Sequence, residues 1–258
     1  MSQRLHSWGQ VWLIPVIVVI VWEIATRLGI LDQRFFIPIS DILAAAYTQL
    51  TEGRLGGDLL ITLRRLGVAF AFAAVTGVAV GVASGVWRWV ELLVRPVADT
   101  LYPLPKIAVL PLFIIIVGRG EVAFILTAFA TAFFQIIIST RGAVKNVDSE
   151  LIEAGRNFGA TGPRYFTKLL FPAIAPGLFN GLRLGLATCL ITLVATEFVG
   201  ADTGLGAMIF RAGQQFAVDQ MYAGLFLVGV IGLVANLLFL ALEPVLLPWQ
   251  KGGLKEST

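Results

Sequence analysis

The chain has 258 residues, 57% of them apolar and 14% charged, and its mean hydropathy is +0.86. That is too little polar side chain to cover a soluble domain of this size, so the natural unit of counting is the membrane span of about 20 apolar residues. The net charge of +3 is small, and the basic residues lie between apolar runs with no clustered stripe, which fits topology signals and excludes a nucleic-acid surface. A single cysteine, Cys189 within an apolar run, leaves no internal disulfide and no metal-ligand spacing. A single histidine, His6 in the polar N-terminal tail, gives little support to histidine-based catalysis.

Six apolar segments follow in chain order. The first, Val11–Leu28, is too long for a signal peptide and no small-residue cleavage site follows it, so it is expected to stay as a transmembrane helix. After Ile37-Pro38-Ile39, Ser40 is a candidate cap for an amphipathic helix from Asp41 to about Glu52, which Gly53, Gly56 and Gly57 end. The second segment, Leu66–Trp87, carries Gly77, Gly81 and Gly85 four residues apart, a face suited to close packing in a bundle or at a dimer contact. The third, Leu92–Val117, contains Pro103, Pro105 and Pro111, which remove backbone donors and bend a helix. Two readings fit it: a kink that aids packing, or a place beside a water-filled path. The fourth, fifth and sixth are Val122–Ser139, Gly177–Val199 and Tyr222–Leu246. Long unbroken runs predict helices and not the alternating short strands of a transmembrane barrel. The expected fold is all-α and polytopic, one domain over 1–258 with six transmembrane helices.

With the N-terminus in the cytoplasm, ten Lys and Arg residues fall on the inner side and seven on the outer, Arg64 and Arg65 among the latter. The outer count comes mainly from the long first loop, which weighs less, so both termini are expected to be cytoplasmic.

The connection between the fourth and fifth segments, residues 142–176, holds most of the polar content of that half. Asp148 or Ser149 caps a short helix bearing Glu150, Glu153, Leu151, Ile152, Ala154 and Phe158. Gly159 ends it, and Pro163, at a favoured first position, opens a second helix carrying Tyr165, Phe166, Leu169 and Leu170, with Arg164 and Lys168 exposed, until Pro172 breaks it. Such a helix–turn–helix presents apolar and aromatic knobs inside a charged rim. It suits either insertion into a groove on a cytoplasmic partner or an interfacial position on lipid.

The spacing Glu153-Ala154-Gly155, Gly159 four residues on, nine residues, then Leu169, Phe171 and Pro172 resembles the EAA loop of ABC-importer permeases. The third position is usually Ala where this chain has Gly155, and Leu169 and Phe171 are apolar exchanges; the spacing is intact. The runs YPLPKIAVLPLFIIIVGRG and NGLRLGLATCLITLVATEFVGADTGLG are similar to the taurine, sulfonate and nitrate branch, over nearly the whole chain. The resemblance implies a type I importer permease fold in the bacterial inner membrane, with residues 142–176 as a cytoplasmic coupling loop. It also implies two ATP-binding subunits docked on Glu153, Ala154, Gly155, Phe158, Gly159, Pro163, Arg164 and Pro172, a second permease copy, and an extracytoplasmic binding protein.

An ATPase needs a phosphate-binding loop ending in Gly-Lys-Ser/Thr, and this sequence has none, so ATP and Mg are expected in the partner and no cofactor in this chain. Intramembrane charges are candidates for the substrate path. Lys106, after Pro105 on the broken third segment, either faces a cavity and attracts an anion such as a sulfonate, or snorkels and pairs structurally. Glu197, at the end of the fifth segment, either closes an outer gate or pairs with an outer-loop arginine; Arg183 is expected to be structural. An ion-coupled secondary transporter would want further buried carboxylates beyond Glu23 and Glu197, and an internal repeat.

Overall fold

The computed structural model describes residues 2–249 apart from Gln33, Glu52 and Arg54, without the side chains of residues 2–12. Its elements are α1 (Ser2–Arg27), α2 (Ile39–Thr51), α3 (Leu55–Val86), α4 (Arg88–Leu101), a 3-10 turn (Lys106–Val109) leading into α5 (Leu110–Val117), α6 (Glu121–Lys145), α7 (Ser149–Asn157), α8 (Gly162–Arg164), a π-helical stretch (Tyr165–Leu170), α9 (Phe171–Gly200), α10 (Leu205–Gln214) and α11 (Val218–Leu246). The described residues contain helices and no strand. Among the described residues, four rods are long and apolar enough to cross a membrane: α3, α6, Gly162–Gly200 and α11. The pair α4 and Lys106–Val117 makes a fifth, bent by 96°. The first expected span, Val11–Leu28, coincides with most of α1, but residues 11 and 12 lie outside the described side chains, as does the expected helix end at Glu52.

α6 is the centre of the bundle, and glycines let two helices close on it. A Cβ at Gly77, Gly81 or Gly85 of α3 would stand 3.0, 2.6 or 2.5 Å from the side chains of Ile136, Thr140 or Val144. On the other flank, a Cβ at Gly177, Gly181 or Gly185 of α9 would meet Ala143, Ser139 or Ile136 at 2.6–2.7 Å. Two small-residue ladders thus share one helix, packing that works in lipid without solvent to drive it. The α3 glycines face inward, which removes them as a dimer face. Around them Ala69, Ala73, Ala128, Ala132, Cys189 and Leu193 form the buried core.

Three expectations change in the structure. The third segment is two helices and not one: the break falls at Tyr102–Pro105, while Pro96 sits inside α4 and Pro111 in the first turn of α5, where a missing N–H costs nothing. Pro172 does not break the chain, because Gly162–Gly200 is one continuous rod. The π-helical turn before it, in which Phe171 N–H donates to Phe166 O, widens the spiral where the proline ring would otherwise crowd the preceding carbonyl. Ser40 lies inside the first turn of α2, not at its cap. Its N–H donates to Glu23 Oε2 (3.2 Å) and its hydroxyl to Glu23 Oε1 (2.8 Å), so α1 supplies the acceptor from across the loop.

Candidate functional site

At one end of the bundle, α7 and the start of the long rod form a hairpin. Asp148 is the cap: its Oδ1 accepts from Glu150 N–H at 2.9 Å. The end of α7 is a Schellman turn, with Ala160 N–H donating to Gly155 O and Gly159 N–H to Arg156 O, both at 2.9 Å. Gly159 takes φ +80°, a left-handed conformation that a side chain would strain. The two arms meet at Gly155, where a Cβ would stand 2.7 Å from Leu169 Cδ2. Below them Val144, Leu170, Ile174 and Leu178 make a small core with Tyr165 and Phe166, and Phe166 reaches Trp87 at the end of α3 (6.4 Å between rings). The base of the hairpin is therefore fixed to α3, α6 and α9.

Its outer side has no cover. Leu151, Glu153, Ala154, Pro163 and Arg164 are exposed, and Phe158 is 93% exposed. Gly159 is exposed beside it, while Gly155 and Pro172 are half-buried in the base. A rigid platform carrying a bare aromatic ring within charged neighbours is the form of a docking knob.

A second site lies at the helix break. A cavity of about 340 Å³ is lined by Tyr102, Pro105, Lys106, Thr131, Gln135, Thr188 and Thr192 among others. Tyr102 Oη donates to Gln135 Oε1 (2.8 Å), and Gln135 Nε2 donates to Ser139 Oγ (3.2 Å), giving a polar wall along α6. Lys106 is half-buried in the opposite wall. Its ammonium donates to Leu101 O (2.7 Å), Tyr102 O (2.8 Å) and Leu104 O (2.9 Å) and faces the rings of Tyr102 and Phe134 at 5.9 and 5.6 Å. Those carbonyls lost their helical donors at the break, and a cation at a helix C-terminus also meets the negative pole of its dipole. Lys106 thus closes the end of α4 and still brings positive charge to the cavity wall. Pro105 is exposed beside it.

Glu197 is not part of this cavity. It lies fully buried at the end of the bundle remote from the hairpin, accepting from Arg65 Nη1 (2.8 Å), Thr62 Oγ1 (2.8 Å) and Gly206 N–H (3.2 Å). Arg65, counted among outer-loop residues in the sequence, is inside α3 and 3% exposed. It also donates to Thr203 O (2.8 Å) and Thr203 Oγ1 (3.1 Å), reaches Glu121 Oε1 at 3.6 Å and lies over the Phe124 ring at 5.4 Å. Leu205 N–H donates to Thr62 Oγ1 (2.9 Å) and Gly204 N–H to Asp58 Oδ1 (2.7 Å). Side chains from α3 and α9 thus accept from three successive amides where α10 begins, groups a helix cannot satisfy itself. Asp58 also accepts from Arg211 of α10 (3.3 Å).

The family model "Binding-protein-dependent transport system inner membrane component" matches residues 73–251. The chain is 29% identical to the taurine transport system permease protein TauC of Escherichia coli (strain K12), covering 96% of this chain and 97% of that one. It is also 29% identical to the nitrate import permease protein NrtB of Synechocystis sp., covering 78% of this chain and 73% of that one. Among solved structures, a chain of the inward-facing MetNI methionine ABC transporter matches with a TM-score of 0.64 and 26% identity, over 72% of this chain and 92% of the other. The chain belongs to the family of inner membrane components of binding-protein-dependent transport systems.

Proposed function

We propose that this permease forms the path for a small anion and couples it, through the hairpin of residues 142–176, to ATP hydrolysis by a separate subunit. The hairpin carries the proposal: Phe158 stands 93% exposed on arms locked together by Gly155 against Leu169. A bare aromatic on a rigid base gives an ATP-binding subunit a hot spot to grip, and movement of that grip is passed to α6 and α9 through the core at Val144, Leu170 and Ile174. Glu153, Ala154, Gly159, Pro163 and Arg164 surround the knob, and Pro172 seats its base. ATP and Mg belong to the partner.

The hairpin end is then cytoplasmic. α3, α6 and α11 run toward it, and α1 ends at the opposite side, where Glu23 meets Ser40, so the start of α1 and the end of α11 also lie on the cytoplasmic side. The far end, with α2 and α10, faces the extracytoplasmic binding protein. The cavity at the α4–α5 break is the substrate path, because discontinuous helices open backbone groups to a ligand deep in the membrane. A second permease copy closes its open side. TauC and NrtB are named for taurine and nitrate, both carrying an oxyanion, and the positive charge that Lys106 brings to the cavity wall suits such cargo.

The test is co-purification with the ATP-binding subunit from the same membrane. Deleting residues 150–172, or substituting Glu153→Ala, is expected to release that subunit while the permease stays in the membrane; undiminished co-purification of both variants would refute the docking role.

A further inference from the structure

Arg183 of α9 lies on a different face from the substrate cavity. It lines a groove of about 450 Å³ between α3, α9 and α11, whose other walls include Leu66, Ile191, Val228 and Phe239, with Asn236 as the second polar group. A neighbouring apolar groove of about 320 Å³ shares Leu66 and Ala235 with it and extends along α3 past Leu63 to Leu59, away from the hairpin end. Among the described residues, Arg183 has no hydrogen-bond or ion-pair partner. A guanidinium in a membrane-spanning helix demands an anion.

A second copy of the chain is poorly supplied to provide one. Glu23 is paired with Arg27, Glu197 with Arg65, Asp99 with Arg141 and Glu91 with Lys145. Glu243 stands seven residues beyond Asn236, about 10 Å farther toward the end of α11. A phospholipid supplies both halves of what the groove lacks, a phosphate and an acyl chain. The depth also fits. Arg183 is six residues inside the expected fifth span, about 9 Å, and helical side chains lean toward the N-terminus of their helix, here the hairpin end. An arginine snorkelling in that direction brings its guanidinium to headgroup level.

We infer that the groove is a binding site for one anionic phospholipid of the leaflet on the hairpin side, its phosphate on Arg183 and its acyl chain along Leu66, Ile191 and Val228 toward Leu63. The experiment is native mass spectrometry of the purified full chain titrated with phosphatidylglycerol or phosphatidylcholine in mixed micelles. The wild-type chain is expected to retain one phosphatidylglycerol in preference to phosphatidylcholine. Arg183→Met should weaken phosphatidylglycerol binding about tenfold or more and leave phosphatidylcholine unchanged, the loss expected for a charge-assisted contact. Ile191 is 67% exposed, so Ile191→Trp fills the groove without disturbing the core and should weaken both lipids. Unchanged phosphatidylglycerol binding by Arg183→Met would overturn the inference. So would displacement of the lipid by equimolar inorganic phosphate, or a disulfide between copies formed by Ile191→Cys in a Cys189→Ala background.

Discussion

Arg65 and Glu197, 132 residues apart, form an ion pair at 2.8 Å with the two side chains 3% and 0% exposed. Removing one partner of such a pair strands a buried charge, at a cost of about 3–5 kcal/mol, whereas removing both with apolar groups is often neutral or better. Glu197→Ala and Arg65→Met are each expected to lower the thermal unfolding midpoint of the detergent-solubilised chain sharply. The Arg65→Met/Glu197→Leu double variant should recover most of the loss. An additive double variant would show that the two residues do not act as a pair.

The glycine ladders predict opposite outcomes for substitutions that look alike. Gly81→Ala pushes a Cβ to 2.6 Å from Thr140 Cβ and should destabilise the chain by about 1–3 kcal/mol. At Gly67, on the same helix α3, an added Cβ would meet nothing within 4 Å, so Gly67→Ala should be neutral or gain about 0.5–1 kcal/mol. Unfolding midpoints of the two variants check the pair.

Lys106 is committed to three carbonyls, so its loss is structural as well as electrostatic. Lys106→Met removes the ammonium from all three, leaving Leu101 O with only the long Leu104 N–H contact (3.3 Å), and is expected to cost about 1–3 kcal/mol of stability. In reconstituted vesicles it should also reduce anion uptake, and Lys106→Arg should restore part of both. Full uptake by Lys106→Met would place the path elsewhere.

Phe158 has the reverse profile. Being 93% exposed, it contributes little to the fold, and Phe158→Ala should leave the unfolding midpoint within the range of ordinary surface changes, about 0.5 kcal/mol. Loss of the ring is expected to cost about 2 kcal/mol or more of binding, roughly a thirtyfold weaker hold on the ATP-binding subunit, measurable by surface-immobilised titration.

How much of this is legible in the sequence depends on distance along the chain. The hairpin is readable because its signals are local: an Asp148 cap, a Gly159 stop and a Pro163 start lie within 16 residues and dictate backbone geometry by themselves. The proline-rich third segment announces irregularity, but its prolines do not say which one breaks the helix; the structure places the break at Tyr102–Pro105, carries Pro96 inside α4 and keeps Pro111 in a first turn. Pairing with an outer arginine is one of the two roles the sequence offers Glu197, and Arg65 is the arginine that takes it; which arginine it is stays hidden when the second span is started at Leu66, because α3 begins at Leu55 and Arg65 then counts as loop. The spacing of Asp58, Thr62 and Arg65, four and then three residues, puts them on one helix face and is the available signal. Gly177, Gly181 and Gly185 repeat the four-residue spacing seen at Gly77, Gly81 and Gly85, yet which helix they pack on is a tertiary fact that spacing cannot hold.

This permease is expected to move its cargo only when a separate ATP-binding subunit grips the hairpin. The direct measurement is uptake of radiolabelled taurine or nitrate into proteoliposomes holding the chain, its ATP-binding subunit and the binding protein. Uptake is expected to require ATP and the subunit, and to fall to background when Phe158→Ala or the 150–172 deletion replaces the wild-type chain. Uptake driven by an ion gradient with the chain alone would make it an ion-coupled carrier that needs no ATP-binding subunit.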